Sequence, residues 1–251
     1  MDLLNVLELF FYLIFLEEEP KRDFECGKVN VEPASWTFGP RNLKIKQGED
    51  AKDLSYPYFV RVEHVDDDTN ELTNCGGSYI APGWVLTAAS CVRKNVQWYY
   101  YLKYRYVRDN KFEVQGPQQI ARVWNDGDVA LLKLDSDINT DDDLGKRVCL
   151  RARPLMMKQP MIAFGMGDGE RTQVQEAVLR VDCLDDEETF CGRGKATTRG
   201  DSGGPLVAKF GDLWYQVGII SDSSTLAYTK ATPITRKLCD WLNKETETTI
   251  C

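Results

Sequence analysis

Short apolar runs separated by polar turn residues dominate the chain from Ile45 onward. Runs such as "YFVRV", "DVALLKL", "MIAFGMG", "PLVAKF" and "YQVGII" recur between clusters of Gly, Asp, Asn and Pro. Runs of this length, bounded by turn residues, predict β-strands, and many short strands in succession are typical of a barrel or sandwich. We therefore predict an all-β fold.

Helical periodicity occurs only near the C-terminus. In "PITRKLCDWLNKETET", the apolar residues Ile234, Leu238, Trp241 and Leu242 are spaced at i, i+4, i+7 and i+8. This spacing predicts an amphipathic α-helix, and Pro233 is expected in its first turn.

The first 44 residues have a different texture. Residues 1–20 contain an apolar run over 9–16 that suits the core of a signal peptide and is too short to span a bilayer. Because no basic residue precedes the run and no small-residue cleavage site follows it, an amphipathic or buried N-terminal helix is the alternative. Residues 21–44, which contain Pro and Gly and little periodicity, are predicted to form a linker resembling a pro-segment.

Composition and charge narrow the class of partner. The chain has 251 residues, of which 43% are hydrophobic, enough for one large domain or two modest ones. Acidic residues number 39 and basic residues 31, a net charge of −8, which repels nucleic acid and anionic membranes. We therefore expect a protein partner, no nucleic acid and no stable membrane span.

The chain contains eight cysteines, an even number that favours disulfide pairing in an oxidising compartment. Zinc binding is the competing interpretation, but there is no CxxC pair and only one histidine, His64. We expect disulfides, a secreted extracellular protein, and no metal or other cofactor. The cysteines are Cys26, Cys75, Cys91, Cys149, Cys183, Cys191, Cys239 and Cys251.

Three segments carry a family resemblance: "CGGSYIAPGWVLTAASC" at 75–91, "DVALLKL" at 128–134 and "RGDSGGPLV" at 199–207. Together, and in this order, they resemble the chymotrypsin-like (trypsin-type) serine proteases. The resemblance implies two antiparallel Greek-key β-barrels with a cleft between them and a C-terminal helix. It covers residues 45–251 as one protease-like domain.

The resemblance also assigns catalytic positions. It makes Ser202 the nucleophile, Asp128 the triad aspartate, and the amides of Gly200 and Ser202 the donors to an oxyanion. The position of the general-base histidine holds Ser90. A serine hydroxyl does not change protonation near neutral pH, so it cannot take the proton of Ser202.

We therefore expect a protein without peptidase activity. The alternative is a residual serine hydrolase that uses non-canonical or substrate-assisted proton transfer at Ser202. Neither His64, expected at the end of a strand before an exposed acidic loop outside the catalytic centre, nor Lys195, expected to be solvated, is predicted to replace the base.

The substrate cleft departs from the family pattern as well. By resemblance, Ala196 lies at the base of the specificity pocket, and Ser221, Asp222 and Ser223 replace the strand that pairs with a substrate. Thr198 stands where the family has a cysteine, and the segment 221–230 has no cysteine to pair with it. We expect an eroded cleft without its usual disulfide.

The resemblance further implies an activation site. Ile45 would become the first residue after cleavage at Lys44, and Asp201 would accept the new ammonium group. The alternative is that Lys44 is only an exposed loop lysine.

By resemblance, the disulfides are Cys26–Cys149, Cys75–Cys91 and Cys183–Cys191. A helix through Cys239 and Cys251 would separate their Cα atoms by about 18 Å, beyond the roughly 7 Å limit of a bridge. These two pair only if the helix stops near "ETETT" and the tail folds back.

The segment "WYYYLKYRYVR", residues 98–108, interleaves aromatic and basic side chains. It is interpreted as a barrel strand with one packed face, with an exposed tyrosine-rich partner surface as the alternative.

Family members that have lost a triad residue commonly bind proteins. The resemblance therefore implies a cofactor, decoy or ligand carrier in an extracellular process such as a proteolytic cascade, immunity or reproduction.

Overall fold

The computed structural model describes residues 21–22, 24–33, 49–52, 55–65, 72–92, 101–106, 111–115, 119–124, 128–134, 146–167, 174–185, 189–194, 197–198, 200–221 and 228–251. The predictions for residues 1–20, Lys44, Ile45, Lys195, Ala196, Asp222 and Ser223 lie outside these ranges.

The described residues form strands throughout, as the alternation of apolar runs and turn residues predicts. In chain order, strands β1–β15 are Glu49–Asp50, Phe59–Val65, Leu72–Ala81, Trp84–Thr87, Tyr101–Tyr106, Lys111–Gln115, Gln119–Trp124, Val129–Lys133, Cys149–Leu150, Pro160–Gly165, Gln175–Asp185, Thr189–Gly194, Pro205–Phe210, Leu213–Ile220 and Tyr228–Pro233. The all-β prediction is confirmed.

The strands belong to two antiparallel sheets. The first has the order β6-β5-β2-β3-β4-β8-β7. The second has the order β1-β11-β10-β13-β14-β15-β12, and β12 also pairs with β11. This additional pairing closes six of its strands into a barrel, while β9 runs parallel to β14.

Strand β5 contains the centre of the tyrosine-rich segment and pairs with β2 on one side and β6 on the other. The prediction of a strand there is confirmed, while the side chains of this strand lie outside the description. His64 lies at the end of a strand, as expected, since β2 continues to Val65 and pairs His64 with Thr73.

A 3₁₀ helix spans Ala89–Cys91 and an α-helix, α1, spans Arg236–Thr246. The Thr235 hydroxyl caps α1 by accepting a hydrogen bond from the Leu238 amide at 3.2 Å. The prediction of a C-terminal helix is confirmed, but the place of Pro233 was wrong: this residue ends β15. The threonine cap, three residues before Leu238, fixes the later start.

The C-terminal tail folds back on α1. Glu247 adopts a left-handed conformation with φ of 54° and ends the helix. The Asn243 side-chain oxygen then accepts hydrogen bonds from the amides of Ile250, at 2.7 Å, and Cys251, at 3.2 Å. This turn brings Cys251 to Cys239, and the two form a disulfide.

The other disulfides are Cys26–Cys149, Cys75–Cys91 and Cys183–Cys191, the pairs that the resemblance implies. The first ties the segment before the sheets to β9. Arg22 holds the same segment by donating to the carbonyls of Ile250 at 2.7 Å and Leu150 at 2.6 Å.

One apolar core is continuous across both sheets. It joins Val85 and Leu131 of the first sheet to Phe164 and Trp214 of the second, and a smaller core fills the closed barrel. The two sheets therefore pack against each other through this shared core. In the described part of the chain, no helix is long and apolar enough to cross a membrane.

Candidate active site

Ser90 and Asp128 meet where strands β4 and β8 of the first sheet end and begin. Strands β4 and β8 are antiparallel, with Thr87 opposite Ala130, so the residue after β4 and the residue before β8 lie at the same end. The Ser90 amide donates to Asp128 Oδ1 at 2.8 Å, and the Ser90 hydroxyl donates to Oδ2 at 3.1 Å. One serine thus hydrogen-bonds both oxygens of the carboxylate.

The backbone around Ser202 is held by both sheets. From the first sheet, the Gly76 amide on β3 donates to the Ser202 carbonyl at 2.7 Å. From the second sheet, the Ile220 carbonyl on β14 accepts from the Gly203 amide at 2.7 Å. Gly203 has a φ of 81°, and a Cβ there would lie 2.5 Å from the Gly76 carbonyl oxygen, so only glycine fits.

The Cys75–Cys91 disulfide lies beside this loop. Its Cys91 sulfur is 3.4 Å from the Ser202 carbonyl oxygen. Because Cys91 directly follows Ser90, the disulfide keeps the Asp128 group and the Ser202 loop on the same side of the junction. The structure therefore brings together three positions that are far apart in sequence.

Some amide donors in the Ser202 loop are used by backbone hydrogen bonds and others are available. The amides of Asp201, Gly203 and Gly204 donate to the carbonyls of Thr198, Ile220 and Asp201, respectively. Among the described residues, no group accepts from the amides of Gly200 and Ser202, and none hydrogen-bonds the Ser202 hydroxyl. Two such amides suit an oxyanion.

The Asp201 carboxylate is held on both of its oxygens. The Gly167 amide donates to Oδ1 at 2.8 Å, and Thr198 donates to Oδ2 from its amide at 2.7 Å and its hydroxyl at 3.0 Å. Gly165 makes room for the carboxylate, since a Cβ there would lie 2.2 Å from Oδ1.

Sequence reasoning treated Thr198 only as a lost cysteine and missed this contact. The spacing Thr-x-x-Asp is a visible signal, because a hydroxyl and a carboxylate three residues apart often satisfy each other's backbone donors. Insertion of an ammonium from Ile45 stays a prediction, since that residue lies outside the described ranges.

Ser221 is the described residue of the predicted substrate strand. Its amide donates to the Lys230 carbonyl at 3.0 Å, and its hydroxyl lies 3.3 Å from the Thr232 hydroxyl. Both of these groups are on β15. The Ser221 side chain is half-buried and is engaged within the second sheet.

A buried ion pair lies behind the site, and sequence reasoning missed it. Arg61 Nε is 2.8 Å from Glu63 Oε1, and both side chains are almost fully buried. Arg61 is opposite Gly76, and its Nη1 lies 4.0 Å from the Met166 sulfur. Alternation in "VRVEHV" indicates a polar face, but that face of β2 packs toward the second sheet.

Comparisons with known proteins agree with this arrangement. A family model described as Trypsin matches residues 45–242. Chymotrypsin-C of Mus musculus is 30% identical over 247 residues, covering 83% of this chain and 91% of the mouse protein. A CLIP domain-containing serine protease B15 of Anopheles gambiae is 22% identical over 296 residues, covering 95% of this chain and 79% of the mosquito protein.

Proposed function

This chain belongs to the trypsin family of serine proteases, and we propose that it is a member without peptidase activity that acts outside the cell by binding another protein. The proposal rests on one observation above all. The Asp128 carboxylate receives both of its described hydrogen bonds from Ser90.

A serine protease needs a general base between its triad aspartate and its nucleophilic serine. In the triad mechanism, a histidine takes the proton of the nucleophile and returns it to the leaving amine, and the aspartate orients that histidine. Ser90 donates to the aspartate, as the histidine of the triad would, but its hydroxyl does not ionise near neutral pH. Ser202 therefore keeps its proton and is a weak nucleophile.

Losing the histidine has a large effect on rate. In subtilisin, an unrelated fold with the same catalytic groups, its loss lowers kcat about 10⁶-fold, roughly 8 kcal/mol of barrier. An effect of this size here would leave little turnover.

His64 is poorly placed to replace the base. Along β2 it is three residues beyond Arg61, which lies opposite Gly76, the residue that contacts the Ser202 carbonyl. Three strand residues correspond to about 10 Å. A general base must come within about 3 Å of the nucleophile.

Protein binding is the function that fits the rest of the molecule. Four disulfides fit an extracellular protein, and a net charge of −8 disfavours nucleic acid. The backbone hydrogen bonds that hold the Ser202 loop are present, while Ser90 stands at the position of the general base. We propose a role as cofactor, decoy or ligand carrier in an extracellular process such as a proteolytic cascade, immunity or reproduction.

Fluorophosphonate labelling tests the state of Ser202. We expect the purified chain to react with the probe only slightly faster than its Ser202→Ala variant, because no base activates the hydroxyl. The two proteins are compared at equal concentration with intact-mass spectrometry over hours, and an active serine protease is the positive control. Stoichiometric labelling within minutes, lost in Ser202→Ala, would support a residual hydrolase instead.

A further inference from the structure

We infer that a cluster of four cations on the closed barrel is the docking surface for an acidic protein segment. The cluster, called here the basic patch, consists of Lys158, Arg180, Arg193 and Lys230. This inference rests on the proposed protein-binding function and gives the partner a chemical class. It uses no residue of the Ser202 site.

The strand register places Arg180, Arg193 and Lys230 on one face of the sheet, and Lys158, in the turn before β10, adjoins Arg180 through its carbonyl. Arg180 on β11 is directly opposite Arg193 on β12, and Arg193 is in turn opposite Tyr228 on β15. Directly opposite residues share a face, with Cβ atoms about 4.5–5.5 Å apart. Lys230 is exposed and lies two residues beyond Tyr228, so it has the same orientation.

Like charges at directly opposite positions destabilise a sheet. The two guanidinium groups are held toward opposite sides. Arg180 Nη1 donates to the Lys158 carbonyl at 3.1 Å, whereas the Arg193 guanidinium lies over the Tyr228 ring at 5.7 Å. Each guanidinium has five N–H donors, so both retain capacity for a carboxylate, which would also relieve their mutual repulsion.

An apolar surface adjoins the basic patch. Met156 and Met157 are 64% and 52% exposed, unusually open for large hydrophobic side chains, and they directly precede Lys158. Their turn is well fixed. The Gln159 amide donates to the Met156 carbonyl at 3.0 Å, and the Lys158 amide donates to the Val181 carbonyl at 2.7 Å.

Neighbouring acids do not cancel the positive charge. Asp182 is two residues from Arg180 on β11, which leaves an excess of three cations over this carboxylate among the described residues of the patch. The acidic run "DDEE" begins at Asp185, five residues from Arg180, or about 16 Å along the strand. Lys230 is nearer to this run, because Cys191 is opposite both Lys230 and Cys183. At physiological salt, where the Debye length is about 8 Å, the run is largely screened from Arg180.

These features define the partner. The rest of a chain with net charge −8 repels an acidic protein, so the basic patch selects both the partner and its orientation. Exposed methionines adapt to varied apolar side chains. We therefore expect a protein segment that combines aspartate or glutamate with an apolar anchor. A sulfated polysaccharide has no apolar side chain that could pack against the methionines.

Peptide binding tests the inference. The full chain carrying Ser202→Ala, which removes any hydrolysis, is immobilised and titrated with a twelve-residue peptide of alternating Glu, Asp and Leu at about physiological salt. A matched peptide has Gln and Asn in place of the acids. We expect binding of the acidic peptide only, at least tenfold weaker after Arg180→Ala/Arg193→Ala and also weaker after Met156→Gln/Met157→Gln.

The control is Lys52→Ala/Lys244→Ala, which removes two exposed cations elsewhere and should change the affinity less than twofold. Equal losses in the two charge variants, or equal binding of the two peptides, would overturn the inference. So would heparin binding that exceeds peptide binding and ignores the methionine variant. None of these results bears on whether Ser202 is active, so failure here is distinct from failure of the proposed function.

Discussion

Replacing Ser90 by histidine is expected to accelerate fluorophosphonate labelling of Ser202 by several orders of magnitude while leaving peptide hydrolysis far below that of an ordinary trypsin-family enzyme. The first part follows from Asp128. Both of its oxygens already accept hydrogen bonds at position 90, at 2.8 and 3.1 Å, so the carboxylate is placed to orient an imidazole.

The second part follows from substrate orientation, which supplies about 7–11 kcal/mol of barrier reduction in well-positioned reactions. A small probe needs an activated serine, but a peptide also needs a pocket and a pairing strand. By the family resemblance, Thr198 takes the place of the pocket cysteine; it donates to Asp201, and the Ser221 amide donates to Lys230 within the second sheet. The imidazole alone does not rebuild these features.

The measurement is the labelling rate and the peptide kcat/KM of Ser90→His beside those of Ser90→Asn. Asparagine can donate to Asp128 but cannot act as a base, so Ser90→Asn should label as slowly as the unmodified chain. Efficient, side-chain-selective peptide cleavage by Ser90→His would show that the cleft is sound and that its predicted erosion is wrong.

Replacing Arg61 by methionine is expected to lower the free energy of unfolding by about 3–5 kcal/mol. Arg61 and Glu63 have side chains that are only 7% and 6% exposed, and their charged atoms are 2.8 Å apart. Removing one member of a buried ion pair takes the attractive charge away from the other in a poorly solvated place, which is strongly destabilising. Urea denaturation at neutral pH measures the loss.

The matched control is the double variant Arg61→Met/Glu63→Leu. Replacing both charges with apolar side chains of similar size is often neutral or stabilising, so this variant should recover most of the lost stability. If the double variant is as unstable as Arg61→Met, the charge pair is not the cause. The cause would then be lost packing against Met166.

The sequence predicts the strands well, because strand formation depends on local patterns. Short apolar runs bounded by turn residues mark β2, β8, β10, β13 and β14. Each of the three motifs, around Ser90, Asp128 and Ser202, is a continuous stretch of sequence. The pairing of Cys239 with Cys251 was left open, because helix geometry allows it only if the helix stops early; Glu247 supplies that stop, and the disulfide forms.

Contacts between distant segments were not predictable in the same way. The polar face of "VRVEHV" indicates exposure, but Arg61 on that face lies opposite Gly76, which packs against the backbone of Gly204 in the other sheet, and the face is buried. The opposition of Arg180 and Arg193 depends on a register shift between Val181 and Cys183 that the sequence does not display. Local patterns specify elements, whereas register and interface specify which side chains meet.

The most direct test of the central claim is hydrolysis of a broad panel of peptide and ester substrates by the unmodified chain and by Ser202→Ala, each before and after cleavage at Lys44. We expect the same background rate for both proteins in either state, because Ser202 has no base. Turnover by the unmodified chain that clearly exceeds that of Ser202→Ala would contradict it.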